Sequence, residues 1–260
     1  MNTESTPWCQ PMERDLLPYE AATTVDARSI LLLAPHPDDE VFGCGGLWAL
    51  AAAQGVATQV VVVSDGAVAG DAAVREAESR AAARALCGDA AVQALEFWRR
   101  PDRGVRPDED LVQAIGQAVQ RRSTHWLLAP SPYEVHPDHR AVCLAAIAAA
   151  SRPQALEAGV RLVFYEVGQP MLPNRLFDIT PVIDAKRRAM DCFVSQLALQ
   201  RYDEHVLALN RYRSYTLGPQ VRYAEGYHVV DAGAQATGLA GILAREHLAL
   251  EARVRRRAWP

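Results

Sequence analysis

Cysteine is scarce in this chain and is not arranged for disulfides or for thiolate metal ligation. The 260 residues include five cysteines, widely spaced and without a C-x-x-C pair. An odd number of isolated cysteines indicates neither a disulfide framework nor a zinc-thiolate site. We therefore expect a protein of a reducing compartment.

Long apolar runs and an excess of basic residues are also missing. No stretch approaches the ~20 apolar residues of a membrane-spanning helix. The first fifteen residues are polar and acidic, which does not resemble a secretory signal. With 27 basic and 31 acidic side chains, the net charge of -4 gives no reason to expect nucleic acid as a partner. We expect a cytoplasmic protein with no membrane span that acts on a small molecule.

The apolar residues are distributed as in a parallel α/β fold. Half of the chain is apolar, enough to bury the core of one large domain. The runs 29–34 and 58–64 are apolar without alternation, as in strands covered on both faces. Strand and helix patterns then alternate, which predicts a Rossmann-like three-layer sandwich with a mostly parallel sheet and an active site at the C-terminal ends of its strands.

The predicted organisation is a single domain with a short preceding segment. Its parts are an irregular lead-in over 1–28, a domain over 29–260 with its core at 29–168, and a variable C-terminal part at 169–260. Within these parts we predict a strand at 92–97, a loop at 169–181 and a helix at 238–257 with a basic end.

The first candidate site is the turn A-P-H-P-D-D-E after the first strand. Three carboxylates and an imidazole within five residues cost stability, and they stand where ligands bind in open α/β sheets. His36 and Asp39 are three residues apart on a turn restricted by Pro37, so both can reach one cation. Asp38 projects differently and stays free.

The second candidate site is H-P-D-H, which follows the fourth predicted strand. A catalytic zinc site needs three nitrogen or oxygen ligands and an open position for water. If the two strands are close, the two turns supply these ligands and the catalytic groups. The predicted ligands are His36, Asp39 and His139, with Asp38 as the base, His136 as a donor or acid beside the reacting carbonyl, and Asp138 orienting an imidazole. The same ligands suit iron(II).

Other readings of these turns stay open. The carboxylates of the first turn could simply stabilise a helix N-terminus, although capping does not require histidine in either turn. The same ligands could serve another metal-dependent hydrolase, for example one acting on a phosphoester. A non-catalytic sugar-binding protein could also keep the fold. A nucleotide-binding module is disfavoured because G-C-G-G lacks the G-x-G-x-x-G spacing.

The two motifs together resemble the PIG-L/LmbE family of zinc-dependent de-N-acetylases, over about residues 28–150. The likeness includes T-Q-V-V-V-V-S-D-G and R-E-A-E-S-R-A-A-A-R-A-L. It implies removal of an acetyl group from an N-acetylglucosamine-type sugar or glycoconjugate, releasing acetate and a free amine. It also implies the same zinc ligands, Asp38 as base and His136 assisting the tetrahedral intermediate. From the resemblance alone, Arg75 and Asp102 are expected to hold sugar hydroxyls.

One position departs from the family pattern. Some members have a tyrosine two residues before the first histidine of H-P-D-H, where this chain has Glu134. We expect oxyanion stabilisation to rest on the metal and His136. Glu134 could meet a polar or cationic group of the substrate or face solvent, and we favour solvent. The loops 64–71, 98–108 and 169–181 and the segment near Tyr227 are expected to contact the rest of the substrate.

Overall fold

The computed structural model describes residues 21–245 of the chain. In this range, eight strands form one sheet in the order β1-β7-β8-β6-β5-β2-β3-β4. β8 runs antiparallel to its two neighbours, and the other pairs are parallel. The strands are β1 (Ala21–Ala22), β2 (Ser29–Ala34), β3 (Ala57–Ser64), β4 (Leu95–Arg100), β5 (Trp126–Pro130), β6 (Arg161–Tyr165), β7 (Arg175–Asp178) and β8 (Ala224–Val229).

Helices connect these strands and cover both faces of the sheet. They are α1 (Asp39–Phe42), α2 (Gly45–Ala53), α3 (Ala72–Cys87), α4 (Asp89–Gln93), α5 (Glu109–Arg121), α6 (Pro137–Ala150), α7 (Pro153–Glu157), α8 (Ile183–Met190), α9 (Val194–Leu197), α10 (Tyr202–Arg213) and α11 (Ala232–Ala236). Residues 238–245 are also helical. No helix among residues 21–245 has the length and apolar character that crossing a bilayer requires.

The sheet is buried between two apolar layers. Leu31 and Leu33 of β2 belong to a core cluster with residues of α5 and α6. The alternate residues Ile30 and Leu32 belong to a second cluster with residues of α2, α3 and α8. Because successive side chains of a strand point to opposite faces, one continuous apolar run serves both layers. The predicted Rossmann-like three-layer fold is confirmed.

The position of β2 in the sheet determines where a site can form. β2 pairs in parallel with β3 on one side and with β5 on the other. The connections that leave these strands therefore diverge to opposite sides, which opens a crevice at their carboxyl ends. The two motif turns follow β2 and β5, so this strand order brings them together.

Three predicted elements differ from the observed ones. The predicted strand 92–97 begins only at Leu95, because residues 89–93 form the short helix α4. The predicted loop 169–181 contains β7, a four-residue strand with too few apolar residues to show a period. Ala21 and Ala22 of the predicted lead-in pair with β7 at the sheet edge. Of the predicted helix 238–257, residues 246–257 lie outside the described range.

A buried ion pair joins the C-terminal part to the helix that follows the first motif. Lys186, the only lysine in the chain, is fully buried on α8. Its Nζ lies 2.6 Å from Oε1 of Glu225 and also donates to the Phe42 carbonyl and to Asn210. The Glu225 carboxylate accepts the first N–H groups of α2, from Gly46 and Leu47, at 2.7 and 2.8 Å. Residues beyond 180 thus hold α2 in place behind the site.

Replacing Lys186 with methionine is expected to lower the free energy of unfolding by roughly 3 kcal/mol, because the variant leaves a buried carboxylate without its cation. Denaturant unfolding monitored by circular dichroism measures this change. Arg84→Met is the matched control, since Arg84 forms an exposed ion pair with Asp89 at 2.7 Å, and such pairs contribute about 0 to 1 kcal/mol. Equal effects of the two substitutions would contradict the assignment.

Candidate active site

The two motif turns meet at the carboxyl ends of β2 and β5. His36 lies in the turn after β2, and Asp39 is the first residue of α1. His136 caps the N-terminus of α6, where its Nδ1 accepts the N–H of Asp138 at 3.2 Å. Pro137 opens this helix, a position that needs no N–H donor. His139 follows in the first turn of α6, and its ring faces His36 across the crevice.

Three donor atoms form a tight triangle here. His36 Nδ1 lies 3.2 Å from His139 Nε2 and 3.4 Å from Asp39 Oδ2, and the last two atoms are 3.1 Å apart. All three side chains are buried. Ligands at 2.0 to 2.1 Å around a tetrahedral ion lie about 3.3 to 3.4 Å from one another, so this triangle has the size of one face of such a site. The donors therefore fit a divalent cation.

The charges of the triangle are mutually dependent. Burial alone would make ionisation of Asp39 unfavourable, but His139 and His36 hold the pKa of that carboxyl well below its usual range. Burial opposes protonation of His139, yet the charge of Asp39 raises the pKa of the imidazole to about 9. Without a metal ion, protons thus supply the positive charge that the carboxylate requires.

The second nitrogen of His36 faces two further carboxylates. Nε2 lies 3.3 Å from Asp102 Oδ1 and 3.3 Å from Asp138 Oδ2. The backbone N–H of Arg103 also donates to Asp138 Oδ2, at 2.7 Å. A carboxylate beside the free nitrogen of a ligating histidine fixes its tautomer and ring orientation. This arrangement directs Nδ1 of His36 toward the triangle.

Asp38 lies beside the triangle in an unusual backbone conformation. Its φ of 141° is rarely adopted by residues other than glycine. The buried Glu40 side chain accepts the Asp38 N–H at 2.9 Å, and Arg75 Nη2 donates to Asp38 Oδ2 at 3.0 Å. Burial, and secondly the charge of Asp39, raise the pKa of Asp38 to about 8. Asp38 is thus a carboxyl beside the triangle that gains and loses a proton more easily near neutral pH than an ordinary aspartate does.

His136 is placed as a neutral hydrogen-bond donor. Burial, together with the nearby His36 and His139, lowers the pKa of His136. Because Nδ1 already accepts a backbone N–H, the proton of the neutral ring resides on Nε2. The rings of His36 and His136 meet edge to face with centroids 4.5 Å apart. His136 is therefore next to the triangle, where its N–H can contact a substrate oxygen.

Glu134 does not face solvent, so the prediction for this residue was wrong. Its side chain is 1 % exposed, and Oε2 lies 3.3 Å from His139 Nδ1. Oε1 accepts the N–H groups of Val167, Gly168 and Gln169 at 3.0 to 3.2 Å. The sequence shows the acidic residue near H-P-D-H. It does not show that a distant backbone loop supplies the N–H groups that make burial of the carboxylate favourable.

Arg75 and Asp102, the predicted sugar contacts, already have protein partners. The Arg75 guanidinium is 3 % exposed and donates to the carbonyls of Gly66 and Pro37 as well as to Asp38. Asp102 faces His36 with Oδ1 and accepts the Val68 N–H with Oδ2 at 3.0 Å. Both residues nonetheless line the same cavity as the donor triangle.

This cavity has a volume of about 580 Å³ and is open to solvent above the donor triangle. Loops 64–71 and 98–108, which are expected to contact substrate, contribute to its wall. Tyr227 does not, because its side chain is fully buried in the sheet and its hydroxyl donates to Glu225. The C-terminal half contributes residues that sequence patterns did not indicate: Val167, Gly168, Gln196, Gln200, Tyr202 and His205.

A second groove, of about 660 Å³, lies far from these groups. It is lined by residues such as Arg28, Gln120 and Thr124, near the amino-terminal ends of β2 and β5, and includes none of the histidines or acidic residues described above. This groove is larger than the first cavity, but the clustered histidine and carboxylate side chains described above line the first cavity.

Comparison with known proteins places this fold and site in a family. The family described as "PIG-L: GlcNAc-PI de-N-acetylase" matches residues 31–150, which contain both motif turns. The diacetylchitobiose deacetylase of Thermococcus kodakarensis is 26% identical over 235 residues, covering 79% of this chain and 84% of that protein.

Two solved structures share the architecture over most of their length. The conserved protein TT1542 from Thermus thermophilus is 30% identical with a TM-score of 0.67, covering 77% of this chain and 93% of that one. GalB of Pseudomonas putida, a 4-carboxy-2-hydroxymuconate hydratase, is 26% identical with a TM-score of 0.66, covering 78% and 96%.

The fold and the site define a Rossmann-like α/β protein with an imidazole–carboxylate cluster at the carboxyl ends of its strands. The chain belongs to the PIG-L family of de-N-acetylases, which its two motifs already resembled. The deacetylase among its relatives supports deacetylation as the activity class.

Proposed function

We propose that this protein is a metal-dependent hydrolase that removes the acetyl group from an N-acetylglucosamine-type sugar or glycoconjugate. The reaction cleaves the amide C–N bond with water and releases acetate and a free amine. The observation that carries the proposal is the donor triangle of His36, Asp39 and His139, with edges of 3.1 to 3.4 Å and Asp38 beside it.

The triangle is the proposed holding site for one zinc ion, and iron(II) suits the same two histidines and one carboxylate. When bound, the cation would act as a Lewis acid on the acetyl carbonyl and lower the pKa of water. His136 is close to the triangle but is not one of the proposed ligands. Its Nδ1 accepts a backbone N–H, so Nε2 carries the proton of the neutral ring and can donate to substrate.

Asp38 is the proposed general base. Arg75 occupies Oδ2, whereas Oδ1 has no hydrogen-bond partner within residues 21–245 and is free to take a proton. It removes this proton from the water that attacks the acetyl carbon. The leaving nitrogen then needs a proton to depart as an amine, and Asp38 holds one at that stage. Arg75 keeps the carboxylate oriented through both events.

His136 is the proposed donor to the carbonyl oxygen. Negative charge develops on this oxygen as water adds, and a fixed N–H stabilises it more strongly than it stabilises the neutral carbonyl. The lowered pKa keeps the imidazole neutral, so it donates without placing a second cation beside the metal site.

The sugar is proposed to lie in the 580 Å³ cavity above these groups. Relatives with deacetylase activity include one that is named for diacetylchitobiose, a disaccharide of N-acetylglucosamine. Amide, imidazole and aromatic side chains of α9, α10 and the segment between them supply hydrogen bonds and a ring face of the kind that sugars bind. They belong to Gln196, Gln200, Tyr202 and His205.

The test is an activity screen with metal-loaded protein. N-acetylglucosamine, diacetylchitobiose and N-acetylglucosaminyl glycoconjugates are incubated with the protein, and released acetate and free amine are measured. We expect the two products in equal amounts. The Asp38→Asn variant is the matched control. Metal-loaded protein that releases neither product from any acetamide contradicts the proposal.

Two further substrates separate other chemistries. An aryl phosphate tests for phosphoester hydrolysis by the same donors. An unsaturated carboxylic acid, followed by loss of its ultraviolet absorbance, tests for hydration, the reaction named for GalB. We expect neither to react, and turnover of either one in place of acetamides would assign the site to that reaction.

A further inference from the structure

The side chain of Glu134 connects the donor triangle to the wall of the cavity. It lies two residues before His136 in the turn after β5 and reaches both His139 and the loop 167–169. We propose that Glu134 is a positioning residue: it holds His139 in its metal-binding orientation and fixes the loop 167–169 against the site. This inference rests on the proposed metal site.

The two carboxylate oxygens have different partners. Oε1 accepts three consecutive backbone N–H groups at 3.0 to 3.2 Å, an arrangement that suits a negative charge. Oε2 faces Nδ1 of His139 at 3.3 Å. When Nε2 of a histidine binds a metal, Nδ1 carries the proton and needs an acceptor. Nδ1 of His139 is buried and makes no hydrogen bond within residues 21–245, and Oε2 is the carboxylate oxygen that faces it.

Burial and existing partners favour an indirect role for Glu134 over direct binding of substrate. Glu134 borders the cavity, but its side chain is only 1 % exposed, and its carboxylate oxygens face His139 and the N–H groups of residues 167–169. We therefore infer that it acts on the reaction through His139 and through the loop, of which Val167 and Gly168 line the cavity.

Gly168 supplies the close approach that this contact needs. A Cβ atom at residue 168 would lie 2.9 Å from Glu134 Oε2, closer than such atoms come in real structures. An alanine at this position must displace the carboxylate from His139 while leaving its charge in place. Gly168→Ala is thus a second way to disturb the contact, independent of any change to Glu134.

The experiment compares three variants of the full chain. Glu134→Gln keeps the shape but leaves one acceptor oxygen for two sets of donors, so either His139 or the loop loses its partner. Gly168→Ala displaces the carboxylate. Glu157→Gln removes the same charge from an exposed position on α7 and is the matched control. The dissociation constant for Zn²⁺ is measured by chelator competition, and thermal unfolding of the metal-free proteins monitors their folding.

We expect both site variants to bind Zn²⁺ about 10- to 100-fold more weakly, as is typical for loss of a residue that orients a metal ligand. The control should bind like the wild type. Unchanged affinity in both variants, with or without a lower unfolding temperature, would overturn the inference alone. Failure of the unmodified protein to bind Zn²⁺ would overturn the proposed function and the inference with it. If Glu134→Gln does not fold, Gly168→Ala decides the outcome.

Discussion

Replacing Asp38 with asparagine is expected to lower turnover by about 10² to 10⁴, the range for loss of a general base. The amide has nearly the same shape and keeps an oxygen that can accept from Arg75. It cannot take a proton from water at neutral pH.

The metal content of Asp38→Asn must be measured together with its turnover, because it separates loss of the base from loss of the metal. Asp38 is not one of the three donors of the triangle, so the variant should bind Zn²⁺ in the same stoichiometry as the wild type. Asp89→Asn, an exposed substitution in the ion pair with Arg84, is the matched control and should retain full activity. Near-normal turnover in Asp38→Asn would remove Asp38 from the mechanism, and loss of metal together with activity would reassign it to the metal site.

Removal of the metal is expected to reduce acetate release by at least about 10³-fold, because the Lewis acid contributes several kcal/mol of transition-state stabilisation. Dialysis against a chelator followed by titration with Zn²⁺ or Fe²⁺ measures both the loss and the recovery. We expect full recovery at one equivalent of metal, because the triangle offers a single set of three donors.

A histidine variant tests whether the loss of activity on metal removal involves the donor triangle. His139→Ala removes one edge of the triangle and should abolish both metal uptake and activity. His125→Ala serves as the control, since His125 lies at the opposite ends of the strands and accepts the N–H of Arg28 with its Nδ1. Acetate release that survives chelation, or metal uptake by His139→Ala equal to that of the control, would contradict the assigned ligand set.

The sequence predicted the features that depend on local patterns. The run 29–34 is continuously apolar and followed by charge, and β2 has those same bounds. Repetition of one motif at two strand ends suggested a shared site. The prediction of one shared site required that H-P-D-D-E and H-P-D-H follow neighbouring strands. The pairing of β2 with β5 meets this condition and brings the two turns together.

Features that depend on distant contacts were not accessible from the sequence. Glu134 was expected in solvent because nothing nearby in the chain stabilises a buried carboxylate, whereas three N–H groups from residues 167–169 do so in the fold. The same holds for α9 and α10, which are held near the cavity by contacts between residues distant in the chain, such as Ser195 with Glu78 and Gln196 with the Ala69 carbonyl. β7 was missed because four residues are too few to show a strand period.

The burial of Lys186 affects how the reaction can be observed. The chain has one side-chain amine, and that amine is enclosed by Glu225, Asn210 and the Phe42 carbonyl. Amine-reactive fluorescent reagents added to the folded protein should therefore leave Lys186 unlabelled, while a deacetylated product carries a new, accessible amine. In a continuous assay of product amine, the signal from the folded protein is then limited to its α-amino group, and labelling of Lys186 itself becomes a reporter of unfolding.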